Sequence, residues 1–180
     1  PPRPACPAAS ETAMTYRLRP MAEQDIPAVL AIQAECYASE LLESAEIIRQ
    51  RLLAFPALAW LAEDAAGVCA YLFGYRSRAG KVTPLGGAFA APDDADCLYL
   101  HDLAVAARAA GRGIGPALVQ RLLDQGRAAR LRYSALVSVQ DSQGFWRRQG
   151  YAEQAALDAE QRANLASYGV PALYMVKPLH

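Results

Sequence analysis

The stretch from Cys97 to Gly126, CLYLHDLAVAARAAGRGIGPALVQRLLDQG, holds the residue types on which a reaction can be built. His101 sits late in a strand-like run, and an imidazole is the side chain best suited to take a proton near neutral pH. Asp102 and Tyr99 are the neighbouring candidates for proton transfer. Strand alternation would place Tyr99 and His101 on one face, and Leu100 and Asp102 on the other. A proton relay is therefore expected on the Tyr99/His101 face, with Asp102 serving structure or substrate binding.

The run then enters RAAGRGIG, with Arg108, Gly111, Gly113 and Gly115. Alternating glycines let successive amides turn inward without obstruction by Cβ, which makes a nest for an anion. A helix starting near Gly113 would add free N–H groups and its positive dipole end, and Arg108 and Arg112 would add charge-assisted contacts. Two familiar phosphate motifs fail on spacing. GxGxxG would need glycine where Pro116 or Leu118 stands, and no GKS or GKT ending follows to hold a terminal phosphate and magnesium.

Positioning these groups takes a strand before the glycines and a helix after them. Thr15 to Pro20 reads as a first strand. A first helix follows from an Asp25 cap, with Pro27 in its opening turn, and ends around Cys36 to Ala38. Ser44 caps a second helix, which Pro56 stops. Leu58 to Ala62 and Val68 to Tyr75 form two strands joined by EDAAG. Both sides of VCAYLFGY are apolar, as in a strand covered on both faces. Residues 77–96 read as an exposed connection. Cys97 to Val105 is the fourth strand, and the helix after it ends before Gly126. Tyr133 to Val139 is the fifth strand. A short helix through GFWRR, a strand at Tyr151 to Gln154, helix or loop over Asp158 to Ala166, and a last strand at Ala172 to Val176 complete the order. The fold class is α/β (α+β), one sheet between helices.

The 180 residues are 53% hydrophobic and 20% charged, with zero formal net charge. That balance argues against disorder and gives no electrostatic pull toward nucleic acid or anionic membrane. Cys6, Cys36, Cys69 and Cys97 include no CxxC pair, so no metal site is expected and a reducing, cytoplasmic setting is. Residues 1–14 read as a disordered leader, and 15–180 as one domain.

LHDLAV, then R-x-x-G-x-G-x-G, then FW-x-x-x-GY (Phe145 to Tyr151) resembles the GNAT superfamily of acyl-CoA-dependent N-acyltransferases. The resemblance implies a mostly antiparallel sheet with helices on both faces and a splay between the fourth and fifth strands, where acetyl-CoA lies. Its pantetheine arm would pair with Leu103, Ala104 and Val105. Its pyrophosphate would sit on Arg108, Ala110, Gly111, Arg112, Gly113, Ile114, Gly115 and Pro116, and Ser142, Phe145 and Trp146 would line the thiol end. The Leu103 amide takes the oxyanion role. LYLHDLAV is similar to the arylalkylamine N-acetyltransferase branch, whose second strand histidine His101 matches, while Tyr99 replaces the first. Trp146 stands where the family has a proton-donating tyrosine, and Tyr168 is the substitute candidate. The expected function is acetyl transfer to a primary amine of a small molecule, with Glu35, Glu40 and Glu43 near the acceptor. The expected partners are that amine and, in a homodimer, a second copy. Alternatives are a CoA-binding sensor without turnover and a protein N-acetyltransferase.

Overall fold

The computed structural model describes residues 15–180, so the leader expected over 1–14, with Cys6, lies outside the described residues. Seven strands form one sheet in the order β1-β2-β3-β4-β5-β7-β6. They are β1 (Arg17–Pro20), β2 (Ala59–Asp64), β3 (Gly67–Ser77), β4 (Cys97–Val105), β5 (Tyr133–Val139), β6 (Ala152–Glu153) and β7 (Ala172–Pro178). All neighbours are antiparallel except β4 and β5, which run parallel. The five helices are α1 (Ile26–Cys36), α2 (Ala45–Ala54), α3 (Ile114–Ala128), α4 (Gln143–Arg148) and α5 (Ala159–Ala166).

β3 shows why the sheet is covered twice. Tyr71, Phe73 and Tyr75 belong to the core shared with α1 and α2, while Ala70 and Leu72 belong to the core beneath α3. Between them Gly74 permits a close approach, since a Cβ there would lie 2.9 Å from Leu122 Cδ2 and 3.1 Å from the Tyr99 carbonyl. The cap expected of Asp25 is not made: its carboxylate gives α1 no side-chain cap bond but pairs with Arg19 and accepts from the Ala22 amide. Two other caps follow the chemistry of their residues. Ser44 Oγ accepts from the Ile47 amide at the start of α2, and Asp158 Oδ1 accepts from the Gln161 amide at the start of α5.

Two further expectations need correction. Gly126 does not follow α3 but lies inside it, pressed against Leu98 and Leu179, where a side chain would crowd both. Nor is the connection from 78 to 96 simply exposed. Val82, Thr83 and Phe89 are buried, and the segment folds back over the α1/α2 face of the sheet. Phe89 stacks on Tyr75 at 4.2 Å between ring centroids, while the Gly80 amide donates to the Tyr174 hydroxyl. Val82 and Phe89 supply the apolar surface that holds so long a connection down.

Candidate active site

β4 and β5 pair only through Cys97–Leu100 and Tyr133–Leu136. Beyond Leu100 the two strands part, and α1, the α1–α2 connection and α4 wall the opening. The result is a cavity of about 230 Å³. His101, Leu103, Ala104, Val105, Ser142, Phe145, Trp146 and Tyr168 line it. Tyr99 does not. It is fully buried, beside Tyr75 and His101, and accepts a hydrogen bond from the Thr83 amide.

The pairing of β3 with β4 slips at this point: Phe73 faces Asp102 and Gly74 faces Leu100, leaving His101 as the extra residue of a bulge. A bulge resets the alternation of side chains. His101 packs edge-on against Phe89, and Asp102 accepts from the Tyr71 hydroxyl at 2.8 Å. Phe89 and Tyr71 both belong to the α1/α2 core, so the two residues share that face. The expectation that Asp102 faces the other way is thereby overturned.

His101 is held by a network that sequence reasoning missed. Its Nε2 lies 3.1 Å from Glu43 Oε1. The same carboxylate accepts from Arg51 Nη1 and Nη2 at 2.5 and 2.6 Å, and from the Gly86 amide at 2.8 Å. Gln33 fixes the backbone of Glu43 through both its amide and its carbonyl. These donors hold the Glu43 carboxyl far below the usual range, His101 foremost among them and Arg51 next, against the opposing effect of burial. Glu43, expected near the acceptor, is 7% exposed and already paired. Glu35 caps the turn after β4 by accepting from the Ala107 amide. Nothing in the spacing of Glu43, Arg51 and His101 marks them as partners, because only the return of the 78–96 segment and the α1–α2 connection brings them together.

An ionised Glu43 offers no proton, so in the neutral form of the imidazole Nε2 donates to Glu43 and the lone pair lies on Nδ1. Nδ1 is buried and has no hydrogen-bond partner. Asp102 Oδ1 is likewise buried and unpartnered, and burial pushes this carboxyl up from its usual range.

On the open edge of β4, the Tyr37 hydroxyl donates to the Leu103 carbonyl at 2.7 Å, and Cys36 Sγ lies 3.2 Å from the Val105 carbonyl. The Ala106 amide instead bonds β3, at Cys69. A strand residue's N–H and C=O point to the same side, so the amides of Leu103 and Val105 face the opening. Gln140, at φ +51°, accepts from the Ala38 amide and donates to the Cys36 carbonyl, tying the end of α1 to the β5–α4 turn. Tyr168 donates to the Thr83 carbonyl at 2.9 Å, and burial raises its pKa.

The glycine turn opens beside this edge. Gly111 and Gly113 have φ of +77° and +74°, and a Cβ on either would meet nothing within 4 Å. Gly113 caps α3, leaving the first-turn amides pointing outward, while Gly115 sits against Phe145 and Val105. Arg108 and Arg112 converge on Asp64 at 3.0 and 2.8 Å, and Arg112 and Arg108 together hold that carboxyl down to about 2. An open concavity of amides and a helix N-terminus fit a pyrophosphate.

The family model of the GNAT acetyltransferases matches residues 26–164, and the chain belongs to that family. It is an acetyltransferase that takes acetyl-CoA as acyl donor. No curated protein sequence matches the chain. Among solved structures, it resembles the GphF GNAT-like decarboxylase in complex with isobutyryl-CoA, at 15% identity and a TM-score of 0.72, over 91% of this chain and 100% of that one. Rv2747 from Mycobacterium tuberculosis, in complex with CoA and NLQ, shares 18% identity and a TM-score of 0.65, with 91% and 99% covered. The ribosomal-protein-S18-alanine N-acetyltransferase from Escherichia coli shares 14% and 0.63, with 92% and 94% covered. At these identities the likeness is one of fold. No helix among the described residues is long and apolar enough to cross a membrane.

Proposed function

We propose that the chain transfers the acetyl group of acetyl-CoA directly to a primary amine of a small molecule, with His101 as general base. The observation that carries this reading is the imidazole of His101, held by Glu43 on the wall of the cavity where β4 and β5 part. Acetyl-CoA supplies a thioester carbonyl when bound. Gly111 to Gly115 would hold its pyrophosphate, Leu103 to Val105 its pantetheine arm, and Ser142, Phe145 and Trp146 its thiol end. Facing the opening, the Leu103 amide is placed to stabilise a developing oxyanion, a role worth about 2.7–4 kcal/mol per donor. His101 Nδ1 takes the proton an ammonium must lose before its nitrogen can attack, while Glu43 and Arg51 keep the ring in the tautomer that allows it. Tyr168 is the candidate donor to the leaving thiolate. Its proton rests on the Thr83 carbonyl, so donation requires the hydroxyl to swing toward the cavity. The return of the 78–96 segment, which adds Leu85 to the cavity wall, supports a small acceptor rather than a protein surface. Cysteines without a disulfide among the described residues fit a reducing cytoplasm.

Release of free thiol from acetyl-CoA across a panel of primary amines tests the reading directly. His101→Ala should lower the rate about 10²-fold or more and flatten its rise with pH. Acetyl-CoA binding should be retained. An unchanged pH–rate profile removes His101 from the mechanism.

A further inference from the structure

A second cavity opens at the end of the sheet opposite the glycine turn. Its volume is about 540 Å³, against about 230 Å³ between β4 and β5, and no residue lines both. That volume lies within the roughly 300–1,000 Å³ of small-molecule sites. Its floor is Leu98 of β4 and Arg76 of β3, which stand opposite each other in the ladder. One wall is the turn from Phe55 to Leu58 after α2, and the other is the last turn of α3 with Leu131 beyond it. Leu98 and Leu103 are separated along β4 by roughly 17 Å at an extended rise of about 3.4 Å per residue. Acetyl transfer gives this groove no task.

Space is left here because the side chains that meet are small: Ala54 and Ala57 from one wall, Gly126, Ala128 and Ala129 from the other. The walls are braced across the gap. Gln125 donates its side-chain amide to the Ala57 carbonyl, which also accepts from the Trp60 indole. The groove therefore stays open, and its apolar lining lacks the contacts a filled core would have.

Its one charged lining residue is Arg76. β3 presents Ala70, Leu72 and Gly74 toward α3, and alternation brings Arg76 next on that face. The row thus ends in an exposed guanidinium whose methylene stem covers the floor. Among the described residues no carboxylate pairs with Arg76, and no acidic side chain lines the groove. α2 and α3 both end here, and free carbonyls at helix ends attract cations. The last carbonyls of α3, however, already accept from the amides of Ala129, Arg130 and Leu131.

We infer that this groove binds a small monocarboxylate with a hydrocarbon body, its carboxylate on the Arg76 guanidinium and its chain against Phe55, Leu58, Leu98 and Leu131. The planar fork of arginine pairs bidentately with a carboxylate. One arginine balances one negative charge, whereas a phosphate monoester brings nearly two at neutral pH. A neutral chain would leave the guanidinium without a partner.

The test is equilibrium binding of octanoate and octan-1-ol to the full chain, by calorimetry at neutral pH, with and without saturating CoA. The wild type should bind octanoate about tenfold or more tightly than the alcohol, the preference expected of a hydrogen-bonded charge pair. Affinity should rise roughly fourfold per methylene from hexanoate to octanoate, and CoA should leave it unchanged. Arg76→Gln should reduce octanoate to the affinity of the alcohol, with alcohol and CoA binding as before. Ala128→Trp, on the exposed last turn of α3 and checked as folded by circular dichroism, should fill the groove and weaken both ligands more than tenfold. Displacement of octanoate by CoA would put the acid in the cavity between β4 and β5 and overturn the inference. A preference that survives Arg76→Gln would assign that guanidinium to the helix ends and overturn it equally, as would the absence of binding by any acid of the series.

Discussion

Glu43→Gln probes the network that holds His101, and its consequences separate into two measurable parts. The first is stability. Arg51 is 3% exposed, with both terminal nitrogens on Glu43, so the amide leaves a buried guanidinium without its counter-ion. Breaking a buried pair from one side costs about 3–5 kcal/mol. At roughly 2–4 °C per kcal/mol for a chain of this length, Tm should fall by roughly 6–20 °C. The second part is catalysis. A neutral amide no longer obliges Nε2 to carry the proton, so Nδ1 ceases to be a fixed lone pair. A loss of about 10² in kcat, within the range for a general base, corresponds to roughly 2.7 kcal/mol of barrier. Stability loss alone would mimic some of this, so the decisive measurement is a double-mutant cycle at a temperature where every variant is folded. If Glu43 acts through the imidazole, then Glu43→Gln added to His101→Ala should slow kcat by less than about threefold further, because the group it orients is already gone. Two losses that simply multiply would refute the orienting role and leave Glu43 as a structural ion pair.

Two further substitutions test other parts of the architecture. Gly113→Val forces a β-branched side chain to φ +74° at the cap of α3, into space with no protein atom within 4 Å. Acetyl-CoA affinity should therefore drop about 100-fold, as expected for losing one or two charge-assisted hydrogen bonds, while folding stability falls by only the roughly 1–2 kcal/mol of left-handed strain. Retained affinity in a titration would refute the phosphate nest. Gly74→Ala places a Cβ 2.9 Å from Leu122 and 3.1 Å from the Tyr99 carbonyl, beside the bulge. Overpacking there should cost about 1–3 kcal/mol by denaturant unfolding, and no change would show that α3 can retreat from β3 without loss.

Much of the fold is legible in local pattern. β4 runs from Cys97 to Val105 as its composition implies, α2 begins where Ser44 offers its hydroxyl, and β3 is covered on both faces because both its side-chain rows are apolar. The GNAT fold rests on these together with the glycine turn. The bulge at His101 was not legible. LYLHDLAV reads as unbroken alternation, and the slip is set by the pairing with β3, which no property of β4 alone reveals. The Glu43–Arg51–His101 network was equally hidden, since its members lie 8 and 58 positions apart and meet only in three dimensions. The connection from 78 to 96 misled for a related reason: its glycines, prolines and aspartates mark a path without regular structure, but Val82 and Phe89 decide where that path is anchored.

The cavity carries opposite electrostatic demands on its two carboxylates, and pH separates them. Glu43, like Asp25 against Arg19, has a carboxyl held below its ordinary range by its partners. Its contribution to stability is present above the unfolded value of about 4.5 and is lost as pH falls through the lower folded value. Asp102 runs the other way. Burial raises its carboxyl above the ordinary 3.8, so the native state favours the protonated form. Its contribution is full below 3.8 and drains away as pH rises through the folded value. Asp102 thus destabilises the neutral-pH enzyme, and Asp102→Asn, which keeps an acceptor for Tyr71 without the charge, should raise Tm at pH 7 and have little effect at pH 4. A variant advantage that fails to grow between those two pH values would show that Asp102 finds compensation within the protein. An advantage that does grow ties the loss of stability to the buried charge itself rather than to repacking around Tyr71.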